Sequence, residues 1–193
     1  AVRCLDLGAR GIKLHPRAQK FLLDDARLAP VFELAADRKV PILIHGGRGL
    51  PPIADQLALL MDRYEPQLIV AHAGIADLAS LAHHFSGRPG VFFDTSVWSP
   101  LDLLDLYRLV SPEQVLYASD YPYGTQPASL FASLRTARMA GLGSALTGLH
   151  DGEAGGGGGA AAAVEDGVAG PGGRRRRRVA GHLPCVRTCR SPP

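Results

Sequence analysis

Short apolar runs return along the first two thirds of the chain at nearly even intervals, and each one stops at a polar residue. "GIKLH" ends at His15, "VPILIH" at His45, "LIVAH" at His72, "VFFDT" at Thr95 and "VLYASD" at Asp120. The ends are spaced by 30, 27, 23 and 25 residues. Runs this short read as buried strands. Between them, apolar residues recur at helical spacing over Leu28–Arg38, Ile53–Tyr64, Ile75–Phe85 and Leu101–Val110, and once more after the last strand over Ala128–Ala140. Strands joined by helix-length crossovers form βαβ units and a parallel sheet. Local signals agree. Asp24 or Asp25 can cap the first of these helices, Pro51–Pro52 suit a helix start, and Ser99–Pro100 reads as an N-cap followed by proline at the first helical position. "AVRCLDLG" reads as the tail of a helix that ends at Gly8.

Five βα units fit two architectures. One is an open, doubly wound five-stranded sheet, in which ligand residues gather at the switch point and only some strand ends need be polar. The other is the C-terminal part of a TIM-type (β/α)₈ barrel, in which every strand end rings one pocket. All five strands here end in a polar group, counting Thr95 or Ser96 for the fourth. That pattern favours the barrel, with about three βα units expected before Ala1.

The strand ends also carry the chemistry. Alternation along a strand puts His45 on the face of Leu43 and His72 on the face of Val70. If both faces look into the barrel, the two imidazoles meet at one rim, and Asp120 joins them from the last strand. Two imidazoles and a carboxylate suit Zn²⁺, with Mn²⁺ or Fe²⁺ as alternatives. A bound ion acidifies its water and polarises a substrate oxygen. Asp120 can then serve as ligand, as proton acceptor, or as both. A lone histidine at a strand end is usually a hydrogen-bonded structural residue; three such endings at barrel spacing argue for a site. The glycines after His45 let the backbone turn and clear space beside its ring.

Lys13 shares a face with His15, and each is a candidate for substrate binding. A salt bridge at the rim is the plain alternative for the lysine. Arg48 can hold a substrate carboxylate or simply be solvated. Trp98, Tyr121 and Tyr123 can wall a planar substrate or pack ordinarily. His83–His84 read as solvated helix residues. His182, Cys185 and Cys189 have loosely zinc-like spacing without a fourth ligand. Arg174–Arg178 form a basic run without an aromatic platform. P-loop, GxGxxG and GxSxG motifs are missing, which weighs against nucleotide-binding and serine-hydrolase readings.

Composition changes sharply past residue 141. All of the Phe, Trp and Tyr residues precede it, and "GEAGGGGGAAAA", "GPGG" and "RRRRR" follow. Residues 142–193 are therefore expected to form a Gly/Ala/Arg-rich low-complexity tail without a packed core, and residues 1–141 the partial barrel. The net charge of +3 belongs to the tail, because residues 1–140 hold 14 basic and 14 acidic residues. The body thus has no electrostatic bias toward nucleic acid or membrane. No apolar run approaches the ~20 residues that span a bilayer. Three cysteines, an odd number, argue against a disulfide framework, so a reducing cytoplasm is the expected compartment. The expected partner is a small-molecule substrate, with a homo-oligomer left open.

"GARGIKLHPRAQKFLLDD", "VPILIHGG", "LIVAHAG" and "LYASDYPYG" resemble, in consistent order over about residues 5–140, the amidohydrolase-related metal-dependent hydrolases. This is the branch that includes aromatic-acid and aminocarboxymuconate semialdehyde decarboxylases. The resemblance implies a (β/α)₈ barrel with a divalent metal. His45 matches the strand-five metal ligand. His72 matches the strand-six histidine, which ligates a second metal or acts on the substrate. Asp120 matches the strand-eight ligand and proton acceptor. Lys13 falls where some relatives carry a carbamylated lysine. The family's first strand also supplies an HxH pair that this chain lacks, so the ligand set here is expected to be incomplete. The resemblance implies hydrolysis of a C–N or C–O bond in a small carboxylated or cyclic substrate, with Asp120 shuttling the proton and His72 stabilising the oxyanion. Non-oxidative decarboxylation on the same site, and an inactive fragment or binding module, are the alternatives.

Overall fold

The structure is a computed structural model and describes residues 1–97 and 99–142. Trp98, the tail from residue 143, the basic run Arg174–Arg178 and the His182/Cys185/Cys189 group lie outside the described residues.

Five parallel strands form one sheet: β1 (Ile12–Leu14), β2 (Ile42–His45), β3 (Leu68–Ala71), β4 (Val91–Asp94) and β5 (Val115–Leu116). Their spatial order is their order in the chain, β1-β2-β3-β4-β5. This order decides between the two architectures. A doubly wound sheet reverses direction at a switch point, whereas an unbroken sequence of right-handed crossovers puts every helix on the same side. The sheet is five consecutive βα units of a TIM-type barrel.

The helices α3 (Ala29–Asp37), α4 (Ala54–Tyr64), α5 (Leu78–Phe85), α6 (Pro100–Leu109) and α7 (Gln126–Met139) begin and end within three residues of the spans read from apolar periodicity. Among the described residues two shorter helices accompany them, α1 (Val2–Asp6), as the chain's first residues suggest, and α2 (Pro16–Gln19), a single turn just past β1. Asp25 accepts from the Arg27 amide, and the Ser99 hydroxyl accepts from Asp102 N with Pro100 behind it. The start of α4 uses a residue from elsewhere: one oxygen of Asp77 accepts from Ile53 N and Ala54 N at 3.0 Å each. Cys4, in α1, is disulfide-bonded, a bond that the odd cysteine count did not lead one to expect.

Register sorts the sheet into two faces. Ile42, Leu68 and Val91 pair in line, as do Ile44, Val70 and Phe93. All six are completely buried. They pack in one cluster with Phe32, Leu57, Met61, Leu81, Phe85 and Leu106 of the helices. Each such burial contributes roughly 1.5–3 kcal/mol. The opposite face carries Lys13, Leu43, His45, Ile69 and Phe92, all only partly buried. This second face is the inner wall of the barrel.

The fifth strand is shorter than its apolar run suggests. Pairing ends at Leu116, and Asp120 lies four residues beyond it. Gln114 ties this region to its neighbours. Its side-chain nitrogen donates to the carbonyls of Phe85, Arg88 and Val91, and its oxygen accepts from Gly87 N. No helix among the described residues is long and apolar enough to cross a membrane.

Candidate active site

Three imidazoles meet at the C-terminal edge of the inner face. His15 and His45 stack with ring centroids 3.8 Å apart and planes 15° from parallel. His72 meets His45 edge-on at 4.6 Å and 71°. His15 follows Lys13 by two residues, so strand alternation carries both to the inner face.

His72 arrives by a different route from the one alternation suggests. Parallel pairing aligns His45 with Ala71 and Val70 with the fully buried Ile44. Leu43 and Val70 therefore point to opposite faces, and an extended chain would send His72 toward the helices. Instead β3 stops at Ala71, and His72 and Ala73 take φ of +59° and +55°. That left-handed step, costly for residues with a Cβ, brings the ring back beside His45.

Asp94 holds the step in place. One oxygen of this buried carboxylate accepts from His72 N at 2.8 Å, from Ser96 N at 3.0 Å and from Ser96 Oγ at 2.5 Å. His72 Nδ1 lies 2.7 Å from the Ser96 carbonyl. A carbonyl can only accept, so Nδ1 carries the proton and Nε2 keeps its lone pair. In that tautomer His72 can act as a ligand or base. His15 has the reverse tautomer: Nδ1 accepts from Ala18 N at 3.3 Å, leaving Nε2–H as a donor.

Charge in the cluster is tightly limited. Burial, then the neighbouring His15, His72, Lys13 and Arg17, push His45 down to about 3. Burial first, and then Lys13 and His72, also lower His15. Burial lowers Lys13 against the opposing pull of Asp94 and Asp120, and it makes an ion pair with neither. Burial raises Asp120, with His72 and Lys13 opposing and Asp94 reinforcing. An unfolded histidine titrates near ~6.5. The unfolded chain therefore binds the His45 proton first, and the stability tied to this ring is complete above that pH. It is lost as pH falls through the window from ~6.5 toward about 3. In proton NMR, the His45 Cε1–H signal is expected to stay at its neutral position from pH ~8 to ~5. A midpoint near that of a free histidine would refute the packing.

The other candidates are placed differently. Both oxygens of Asp102 accept from Arg48 Nη2, at 2.9 and 3.1 Å, so an acid of α6 already holds that guanidinium. Tyr121 and Tyr123 are 72% and 77% exposed. His84 pairs with Asp55 on the outer helices. Sequence reasoning passed over Asp94 and Arg17. Asp94 could have been suspected as the acid before the fourth strand end. Arg17 lies two residues past His15, and its charge reaches two of the imidazoles.

The sequence profile of the family described as Amidohydrolase matches residues 1–153. The chain belongs to the amidohydrolase family. Among solved structures, this amidohydrolase chain is similar to an uncharacterized TIM-barrel protein from Bordetella bronchiseptica. The TM-score is 0.56 and the identity 19%, over 76% of this chain and 59% of that one. It is also similar to Metarhizium anisopliae IDCase (TM-score 0.48, 18% identity, 68% of this chain and 51% of that one). A third is a dihydroxybenzoic acid decarboxylase from a Polaromonas species, solved with manganese and the inhibitor 2-nitroresorcinol (TM-score 0.43, 15% identity, 66% of this chain and 55% of that one). No curated protein matches the sequence. The amidohydrolase chain thus spans 59% of the length of the Bordetella protein.

A divalent metal is the cofactor this family implies. Among the described residues, no group of three or more His, Cys, Asp and Glu side chains is arranged to hold one. The donor chemistry of the pair nevertheless fits: His45 is held neutral, and His72 keeps Nε2 free because Ser96 takes its Nδ1–H. His45 and His72 thus offer two nitrogen donors of a kind that suits such an ion.

Proposed function

We propose that the protein is a metal-dependent hydrolase of the amidohydrolase type. It cleaves a C–N or C–O bond in a small carboxylated or cyclic substrate. The observation that carries this reading is the meeting of His45 and His72 on the inner face, ring centroids 4.6 Å apart, with Asp120 in electrostatic contact with His72. His45 and His72 would hold a divalent ion, Zn²⁺ in the first instance, with Asp120 as the expected third ligand although the three do not form a ready cluster here. When bound, it would polarise the substrate oxygen and acidify a water.

The chain's own groups do the rest. Asp120 accepts the proton of the attacking water and returns it to the departing nitrogen or oxygen. His15 donates Nε2–H to a substrate oxygen, and Lys13 adds a positive charge beside the two acids. Asp94 and Ser96 keep the His72 ring turned so that Nε2 faces the site. A second reading, non-oxidative decarboxylation, draws on the raised pKa of Asp120, because such a carboxyl can protonate the carbon that CO₂ leaves.

The test uses protein made from the complete coding sequence, since the chain spans 59% of the Bordetella relative. A panel of small lactones, cyclic amides and aromatic acids is followed for acid or ammonia release and, separately, for CO₂. Acid or ammonia release that a chelator abolishes and Zn²⁺ or Mn²⁺ restores is the expected result. CO₂ release alone would replace it with the second reading. Turnover indifferent to chelation would overturn both.

A further inference from the structure

Helix α7 inverts the usual pattern of a surface helix. Its buried positions are Ser133, Thr136 and Ala137, all small or polar, and Ser133 Oγ shares a hydrogen bond with the Tyr107 hydroxyl of α6. Its large apolar residues point outward: Phe131 is 65% exposed and Met139 67%, with Leu130 also exposed. A surface helix normally buries its apolar stripe and gives its polar face to water, so this face calls for a cover. Its charge has one sign. Arg135 and Arg138 are exposed on the same side of the helix as Phe131. α7 carries no acid, and neither arginine makes an ion pair among the described residues.

The segment that leaves the end of α7 has the composition to cover that face. Gly141, at φ +83°, ends the helix: Leu142 N donates to the Ala137 carbonyl and Gly141 N to that of Arg138, the pairing that reverses a chain at a helix end. The residues that follow, "GSALTGLHDGE", run to Glu153, where the family match also ends. They hold Leu146, Leu149, Asp151 and Glu153, and residues 143–173 contain four acids and no Lys or Arg. Length suffices. Phe131 lies ~16 Å back along the helix from Leu142, within the ~33 Å that ten extended residues reach. We propose that residues 144–153 fold back over the exposed face of α7, with Leu146 and Leu149 covering Phe131, and Asp151 and Glu153 answering Arg135 and Arg138. The inference stands apart from the hydrolase reading. It bears on the site through Tyr117, whose hydroxyl donates to the Gln126 carbonyl at the start of α7 and so ties the helix to the segment that leads to Asp120.

The experiment is site-specific photocross-linking in protein made from the complete coding sequence. Phe131→p-benzoylphenylalanine puts a photoreactive ketone on the exposed face, and tryptic peptides are read by mass spectrometry. The expected product joins this position to residues 144–153 of the same chain. A cross-link to a second copy, to a residue before Ala1 or to one beyond Glu153 overturns the proposal, and so does the absence of any cross-link. Amide hydrogen exchange gives an independent measure. Leu146→Asp combined with Leu149→Asp should speed exchange across residues 130–139 about tenfold and leave α4 as it was. Equal exchange in variant and parent would also overturn the proposal. Neither readout depends on turnover, so failure of the hydrolase reading would leave this inference standing.

Discussion

Asp120→Asn is expected to lower turnover by ~10²–10⁴-fold, the usual contribution of a positioned acid or base, with little change in thermal stability. The backbone at this position tolerates the change. Asp120 sits at φ +57°, a conformation that asparagine adopts as readily as aspartate. Its carbonyl accepts from Tyr123 N at 2.8 Å and Gly124 N at 3.0 Å, and both bonds survive in the variant. What disappears is the proposed proton acceptor. Burial raises the Asp120 carboxyl, His72 pulls it back, Asp94 pushes it up again and Lys13 opposes. A base lifted in this way holds a proton more firmly in mid-reaction than an exposed aspartate does. The amide has no such capacity. The loss should therefore fall on kcat and kcat/KM together, measured on whichever substrate the screen identifies. A rise in KM with kcat intact would reassign Asp120 to binding.

Periodicity made most of the fold readable. Apolar runs and helical stripes are direct records of which side chains face a core, so the strands and the ends of α3–α7 emerge from the sequence to within a few residues. The recurrence of polar residues at strand ends likewise marks the pocket, because only the C-terminal edge of such a sheet gathers side chains from every strand. Features that depend on partners distant in the chain escape this kind of reading. Asp77 caps α4 from more than twenty residues away. Asp102 takes Arg48 from across two βα units. The position of His72 is the most instructive instance. Alternation alone puts it on the wrong face, since Val70 aligns with the buried Ile44. The ring reaches His45 because the chain turns left-handed at the strand end and Asp94 satisfies the amides exposed there. Nothing in "LIVAHAG" by itself reveals that turn. Arg17 was missed for a related reason. It lies in an exposed helical turn, and its charge reaches His15 and His45 only because the fold brings the strand ends together.

Gly46→Ala and Gly47→Ala should separate two roles that sit side by side in "VPILIHGG". Neither glycine has a positive φ, so the turn itself does not demand them; the space around them does. A Cβ on Gly46 would lie 2.9 Å from the Ala71 carbonyl oxygen, the Gly74 Cα and a methyl of Val70. Two of those atoms are backbone, one at the end of β3 and one in the turn that follows it, and cannot withdraw cheaply. Gly46→Ala should cost about 2–3 kcal/mol, the upper part of the usual range for overpacking, read from the urea midpoint. A Cβ on Gly47 would meet only side chains, at 2.8 and 2.9 Å from Cε1 and Nε2 of His45 and 3.1 Å from Cδ2 of His72. Rings can move, so Gly47→Ala should cost less than about 1 kcal/mol in stability. Its damage should appear in the site: the alanine methyl occupies the very approach to His45 Nε2, so turnover and the imidazole NMR shifts should change while the unfolding midpoint holds. If the two variants behave alike, the second glycine serves the fold and not the ring.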